Sequence, residues 1–261
     1  MAEALETIPT YPDLAGKVAV VTGGSKGIGA ASCRLLGQQG AKVAVNGRDE
    51  AAIEKLVAEI NAAGGQALGV AADCCDFRAL ERMRERTERE LGPVDVLVAY
   101  AGGFSAYTAA HMIDEDEWRS VLDSNLTATF LTVKSFLPGM LERRRGSIIT
   151  MASNAARLLD ILTTASYAAA KAGIVMFSRH VAKEVGQHGV RVNCVAPATV
   201  LSERVRRIMS EARIQEVAAL SPLGRMGVPE DVALATLFLA SDSSSWLTGV
   251  TLDVAGGRIM L

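Results

Sequence analysis

The 261-residue chain lacks most of what would assign it to a specialised class. It has four cysteines, Cys33, Cys74, Cys75 and Cys194, none at metal-ligand spacing, and the adjacent pair is poorly placed for disulfide geometry. A metal-stapled or disulfide-dense scaffold is therefore excluded, no metal site is expected, and buried thiols in a reducing cytoplasm account for the cysteines. No polybasic run is present. The formal net charge is -2 at pH 7, and Arg143-Arg144-Arg145 is too short to track a phosphate backbone. It reads as a solvated helix end, and no nucleic-acid partner is expected. The opening MAEALETIPTYPDLAGK has no apolar signal core, and no apolar run reaches membrane-spanning length. A soluble, cytoplasmic protein is the expectation. Finally, there is no Pro/Ser/Gly-rich linker and no internal repeat. That predicts one domain over residues 15–261, behind an N-terminal extension (1–14) that is flexible or draped on the surface.

What is present is an alternation. Short apolar runs recur at Val18–Val21, Lys42–Val45, Ala67–Ala71, Val94–Val98, Ser147–Thr150, Val190–Val195 and Val250–Val254. Each is nearly continuous in apolar character, as parallel strands covered on both faces must be. Helical patterns fall between them, among them Ile53–Ala62, Leu80–Leu91, Trp118–Leu141 and Tyr167–Val185. The alternation predicts an α/β fold, a doubly wound Rossmann-type parallel sheet of about seven strands with helices on both faces. Residues 198–226 break the rhythm after the sixth strand. They are helical in pattern, with Val205, Ile208, Met209 and Ala212 on one face. The segment is either a surface helix packed on the core or a substrate lid past a strand's C-terminal end.

The first strand runs directly into Thr22-Gly23-Gly24-Ser25-Lys26-Gly27-Ile28-Gly29 and then a helix. Glycines at 23, 27 and 29 allow a tight turn, close backbone approach to a pyrophosphate and close helix packing; the helix N-terminus supplies unpaired N–H groups. This is a dinucleotide-binding turn. The second strand ends Val45-Asn46-Gly47-Arg48, without the acid that would bind a ribose 2′-hydroxyl. Arg48 can pair with a 2′-phosphate, with Lys26 as a second cation, so NADP(H) is expected over NAD(H). Asp49 is read as the N-cap of the next helix.

Tyr167 and Lys171 stand at i and i+4, one turn apart on one helix face. A cation there is expected to pull the phenol's pKa down toward working pH, making Tyr167 a proton-transfer acid or base. Ser153 follows the fifth strand, where its hydroxyl can meet a substrate oxygen at the sheet's C-terminal edge. Asn125 lies within an otherwise apolar helical pattern. A buried asparagine needs partners, and a kinked backbone with a water to Lys171 would supply them. Taken alone, each of these also fits a structural capping role.

Turn, tyrosine–lysine pair, serine and asparagine, in this order, resemble the short-chain dehydrogenase/reductase family. The likeness runs from Leu14 to Gly257 and includes Pro222-Leu223-Gly224-Arg225, Pro229-Glu230-Asp231-Val232-Ala233 and Leu247-Thr248-Gly249. Within the family the chain is most similar to 3-oxoacyl-[acyl-carrier-protein] reductases and related carbonyl reductases. The resemblance implies a catalytic tetrad of Asn125, Ser153, Tyr167 and Lys171. It also implies a cofactor site of Gly23, Ser25, Lys26, Gly27, Ile28, Gly29, Arg48, Asp73, Ala101, Gly102, Tyr167, Lys171, Pro197 and Thr199. In it, Asp73 contacts the adenine, Lys171 holds the ribose and Thr199 meets the carboxamide. Phe104, Ala155, Leu158, Leu159 and Leu162, with the 198–226 lid, would wall a pocket for an apolar carbonyl or alcohol substrate. Arg144 and Lys183 fall where such reductases receive an acyl-carrier protein, and a homotetramer with the last strand at one interface is implied. One departure stands out: Ala99-Tyr100-Ala101-Gly102 replaces the family's Asn-Asn-Ala-Gly, and Tyr100 is expected to alter the floor of the site. Two rival readings remain: an alcohol, steroid or polyketide dehydrogenase on the same scaffold, and a nucleotide-binding protein that has lost its chemistry.

Overall fold

The computed structural model describes residues 8–103, 107–158 and 163–260. Seven strands form one sheet: β1 (Val18–Thr22), β2 (Lys42–Gly47), β3 (Gln66–Ala71), β4 (Val94–Ala99), β5 (Gly146–Met151), β6 (Val190–Pro197) and β7 (Thr251–Val254). All seven correspond to the apolar runs of the sequence. The order is β3-β2-β1-β4-β5-β6-β7, every pair parallel. Crossover helices therefore cover both faces, as the sequence pattern predicts.

Successive strand side chains point to opposite faces, and each face has its own core. Ala19 and Val21 of β1 pack with Leu36 of α1 (Gly27–Gln38), Ile53 of α2 (Glu50–Ala62) and Leu237 of α9 (Pro229–Ala240). Val18 and Val20 pack on the other side with Leu80 of α3 (Phe77–Glu90), Phe136 of α5 (Ala128–Arg143) and Val181 of α6 (Ala165–Val185). Leu14, assigned by sequence to the N-terminal extension, is fully buried in the first core, and the Tyr11 N–H donates to Gln39 Oε1 at 2.7 Å. The ordered body thus begins before residue 15, because a leucine on the short turn Pro12–Leu14 reaches under the sheet.

Two further expectations need correction. The single helix read over Trp118–Leu141 is three pieces: α4 (Glu115–Leu122), a π-helical turn (Asp123–Thr127) and α5. The extra residue in the π turn swings Asn125 inward, as described below. Segment 198–226 is two short helices, α7 (Glu203–Ile208) and α8 (Glu211–Ala219), capped by Ser202 and Ser210. Val217, Ala218 and Met226 make their own small core, with Val205 packed against it, whereas Ile208 is 68% exposed rather than packed. No helix of the described residues is long and apolar enough to cross a membrane. All four cysteines are free.

Candidate active site

The strand order reverses direction between β1 and β4, and the loops leaving their C-terminal ends diverge there to open a crevice. On one side lies the glycine turn. A Cβ on Gly23 would strike the Tyr100 carbonyl oxygen at 2.8 Å, and one on Gly29 would run into the Gly23 carbonyl, so the turn closes only with glycine at both places. Gly27, with φ +52°, faces open space. Helix α1 begins there with no side-chain cap, whereas Asp49, Asp76, Asp114 and Thr164 cap α2, α3, α4 and α6. Its first N–H groups are left to meet an anion, and the cradle fits a pyrophosphate.

Near the C-terminal ends of β2 and β3, Arg48 directly follows β2, is exposed, and forms no ion pair among the described residues. Lys26 pairs with Asp49 at 2.5 Å, both side chains well exposed. Asp49 also caps α2 through the Ala52 N–H, as the sequence indicates. Asp73 is exposed past the end of β3 and accepts from the Cys75 N–H. Buried Asn46 donates to the carbonyls of Val70 and Ala72 and so ties the ends of β2 and β3 together.

Across the crevice is the loop after β4. Tyr100 and Ala101 both donate their N–H groups to Thr22 Oγ1, at 3.1 and 3.3 Å, so Thr22 holds β4 beside β1 where Ala99 has no polar group to offer. Tyr100 does not shape the floor of the site. Its ring lies in the core under α1 and α9, and its hydroxyl sits 2.6 Å from Thr236 Oγ1. Thr236 already donates to the Val232 carbonyl, so the phenol is the donor, and burial keeps its proton on. Sequence reading missed this role because the partner is 136 positions away.

Asn125 is fully buried. Its Oδ1 accepts from the Gly103 N–H at 2.9 Å, and its Nδ2 donates to the carbonyls of Gly103 and Val121. A Cβ on Gly102 would lie 2.5 Å from that same Oδ1. The side chain thus clamps the Gly102–Gly103 backbone, a different set of partners from the water relay expected for it, and the Asn125 carbonyl accepts from Thr129 Oγ1.

Ser153, Tyr167 and Lys171 come together at the edge. Ser153 opens the short turn Asn154–Ala156 after β5. Thr164 Oγ1 caps α6 by accepting from the Tyr167 N–H, which fixes the tyrosine on the helix's first turn. The Ser153 hydroxyl is close enough to the Tyr167 phenol to influence its titration. Lys171 Nζ lies 5.4 Å from the Tyr167 ring centroid and donates to the Met151 carbonyl at 2.9 Å. Burial pushes the lysine down to about 8 and the phenol above its ordinary 10, with Ser153 pulling the phenol partly back. The phenol is therefore not acidified in this state as expected: desolvation is the larger influence, and the phenol holds its proton across neutral pH.

Pro197 ends β6, with Thr199 half-buried two residues on, and the α7–α8 segment leaves the same edge and returns through a bridge between Val200 and Gly227. Ala155 and Leu158 flank Ser153; Phe104, Leu159 and Leu162 lie outside the described residues. Arg144 and Lys183 are at the other end of the fold, by the C-termini of α5 and α6, and Arg144 donates to the Gln187 carbonyl. The sixteen residues from Tyr167 to Lys183 span about 24 Å of helix.

A parallel sheet with this order, a phosphate-binding turn at its reversal point and a serine–tyrosine–lysine cluster on its C-terminal edge define a nucleotide-binding oxidoreductase architecture. Residues 17–213 match the short-chain dehydrogenase family, and the chain belongs to it. A 3-oxoacyl-[acyl-carrier-protein] reductase of Vibrio cholerae is 36% identical over 95% of this chain and all of its own. An inactive 2-(S)-hydroxypropyl-CoM dehydrogenase of Xanthobacter autotrophicus is 41% identical over 84% of this chain and 95% of its own. Among solved structures, a 3-oxoacyl-[acyl-carrier protein] reductase from Brucella melitensis superposes with a TM-score of 0.93 at 33% identity, covering 99% of this chain and 98% of its own. A second from the same organism, with bound NAD, gives 0.90 at 32% identity over the same shares.

Proposed function

We propose that the chain is an NADP(H)-dependent reductase that converts a 3-oxoacyl group or similar apolar ketone to the alcohol, with Tyr167 as proton donor. The observation that carries this reading is the cluster of Ser153, Tyr167 and buried Lys171 at the same sheet edge as the uncapped α1 turn, with Lys171 Nζ 5.4 Å from the Tyr167 ring centroid. A nicotinamide dinucleotide supplies the hydride. The turn from Gly23 to Gly29, with Ser25 and Ile28, would hold its pyrophosphate, Asp73 its adenine, and Lys171 its nicotinamide ribose. Ala101, Gly102, Pro197 and Thr199 would line its path, with Asn125 keeping Gly102 in place. Arg48, exposed and unpaired at the end of β2, favours the 2′-phosphate form. Ser153 and Tyr167 donate to the carbonyl oxygen and stabilise the charge that develops on it, and the Tyr167 proton completes the alcohol. Lys171, charged below about pH 8, draws the proton transfer forward.

The acyl-carrier-linked substrate named for the relatives supports a 3-oxoacyl thioester here. Binding of a carrier at Arg144 and Lys183 would lie at the opposite edge of the same chain, so a carrier reaching this Tyr167 docks nearer the α7–α8 lid or arrives from another subunit. A homotetramer with edge strand β7 at one interface, where Leu252 is exposed, belongs to the same proposal. The test is NADPH oxidation with acetoacetyl-CoA against a set of cyclic and aromatic ketones. Turnover of acetoacetyl-CoA or an apolar ketone is expected; tight NADPH binding with no turnover in either direction would overturn the reading in favour of a silent nucleotide-binding protein.

A further inference from the structure

The Ser153 hydroxyl has one proton to give, and in this structure it is already given. Ser153 Oγ donates to Asn154 Oδ1 at 3.1 Å and accepts from the Ala155 N–H at 3.2 Å. A serine in that arrangement can only accept from a third group and has nothing to offer a carbonyl oxygen. Stabilising a substrate requires the proton to come off Asn154.

The surroundings of Asn154 are built for that exchange. The residue is 5% exposed, yet its Nδ2 is buried with no hydrogen-bond partner among the described residues. A buried carboxamide with one end unpaired calls for an explanation. The backbone of the same turn, by contrast, is firmly held. The Asn154 carbonyl accepts from the N–H groups of both Arg157 and Leu158, and Arg157 is locked to Asp253 of β7 by an ion pair at 2.7 Å with both side chains 18% exposed. The turn is tied at both ends, and only the Nδ2 end of the amide is without a partner. Half a rotation of a carboxamide exchanges oxygen and nitrogen with almost no change of shape.

We propose that Asn154 is a positioning residue for Ser153: its carboxamide holds the serine proton at rest and, by rotating, donates Nδ2–H to Ser153 Oγ so that the serine proton is free for the substrate oxygen. When a carbonyl enters, the rotated amide satisfies one Ser153 lone pair, the Ala155 N–H the other, and the hydroxyl points outward. The inference rests on the reductase reading above and goes beyond it by assigning control of the serine to its neighbour.

Two variants separate this from a packing role. Asn154→Leu keeps the volume and removes both hydrogen-bonding ends, so kcat should fall about 10-fold, the loss of one hydrogen bond. Asn154→Asp keeps only the acceptor and strengthens it with charge, trapping the serine proton, so kcat should fall about 100-fold. In both, the KM for NADPH should stay within about twofold, because phosphate and ribose contacts lie elsewhere. The measurements are kcat and cofactor KM for both variants on the best wild-type substrate, with thermal unfolding to confirm folding. Asp equal to or milder than Leu, or both variants near wild type, overturns the inference while leaving the reductase reading intact. A wild type that binds NADPH but turns over nothing removes the reading, and this inference with it.

Discussion

The two edges of the sheet handle charge in opposite ways. At the N-terminal edge a cavity of about 720 Å³ is lined by Lys17, Asp95, Arg145, Arg191, Asp242 and Trp246. Two of its three cations are answered by carboxylates, and the third by carbonyls. Lys17 pairs with Asp13 and Asp242, Arg145 with Asp95, and Arg191 donates to the carbonyls of Leu239 and Ser241 at the end of α9. At the C-terminal edge Lys171 is buried beside a half-buried Tyr167, with no carboxylate paired to the lysine among the described residues. Paired charges hold strand and helix ends together, and unanswered ones carry an energetic penalty that persists only where it serves chemistry. The charge-paired cavity at the N-terminal edge is therefore not the reactive one.

The comparison can be broken by removing one charge from each edge. Lys171→Met should abolish turnover yet raise stability at pH 7 by up to about 3 kcal/mol, since burial lowers the lysine from 10.5 to about 8. The sign follows from the protons: between those two values the unfolded chain binds more of them, so wild-type stability climbs with pH there and the gap between the proteins closes. Denaturant unfolding of both at pH 7 and near pH 10 measures it. Asp95→Ala should do the reverse, losing about 2 kcal/mol of stability by orphaning the buried Val18 N–H and Arg145, with kcat unchanged. Smaller still, Arg48→Ala should raise the NADPH KM about 10-fold while NADH is little affected, the share of one charge-assisted bond. Equal changes for the two cofactors would assign Arg48 to the surface alone.

Features that rest on local pattern were legible in the sequence. Seven apolar runs became seven strands because strands buried on both faces need unbroken apolar character, and the glycine turn declared itself because Gly23 and Gly29 admit no Cβ. What escaped was decided by partners distant in the chain. The π turn at Asn125 answers to Gly103, and Tyr100 to Thr236. Leu14 reads as tail but fills a core. The direction of the Tyr167 pKa was missed for the same reason: spacing reveals the lysine one turn away, whereas desolvation depends on packing by residues distant in the chain.

Tyr167→Phe tests the central claim most directly, because it deletes one hydroxyl and leaves the ring, the helix and the nucleotide cradle in place. Single-turnover NADPH oxidation in that variant should slow by about 1000-fold or more, the scale of a lost general acid, while NADPH affinity by fluorescence titration is unchanged. A variant that oxidises bound NADPH at the wild-type rate would contradict the assignment of the proton to Tyr167.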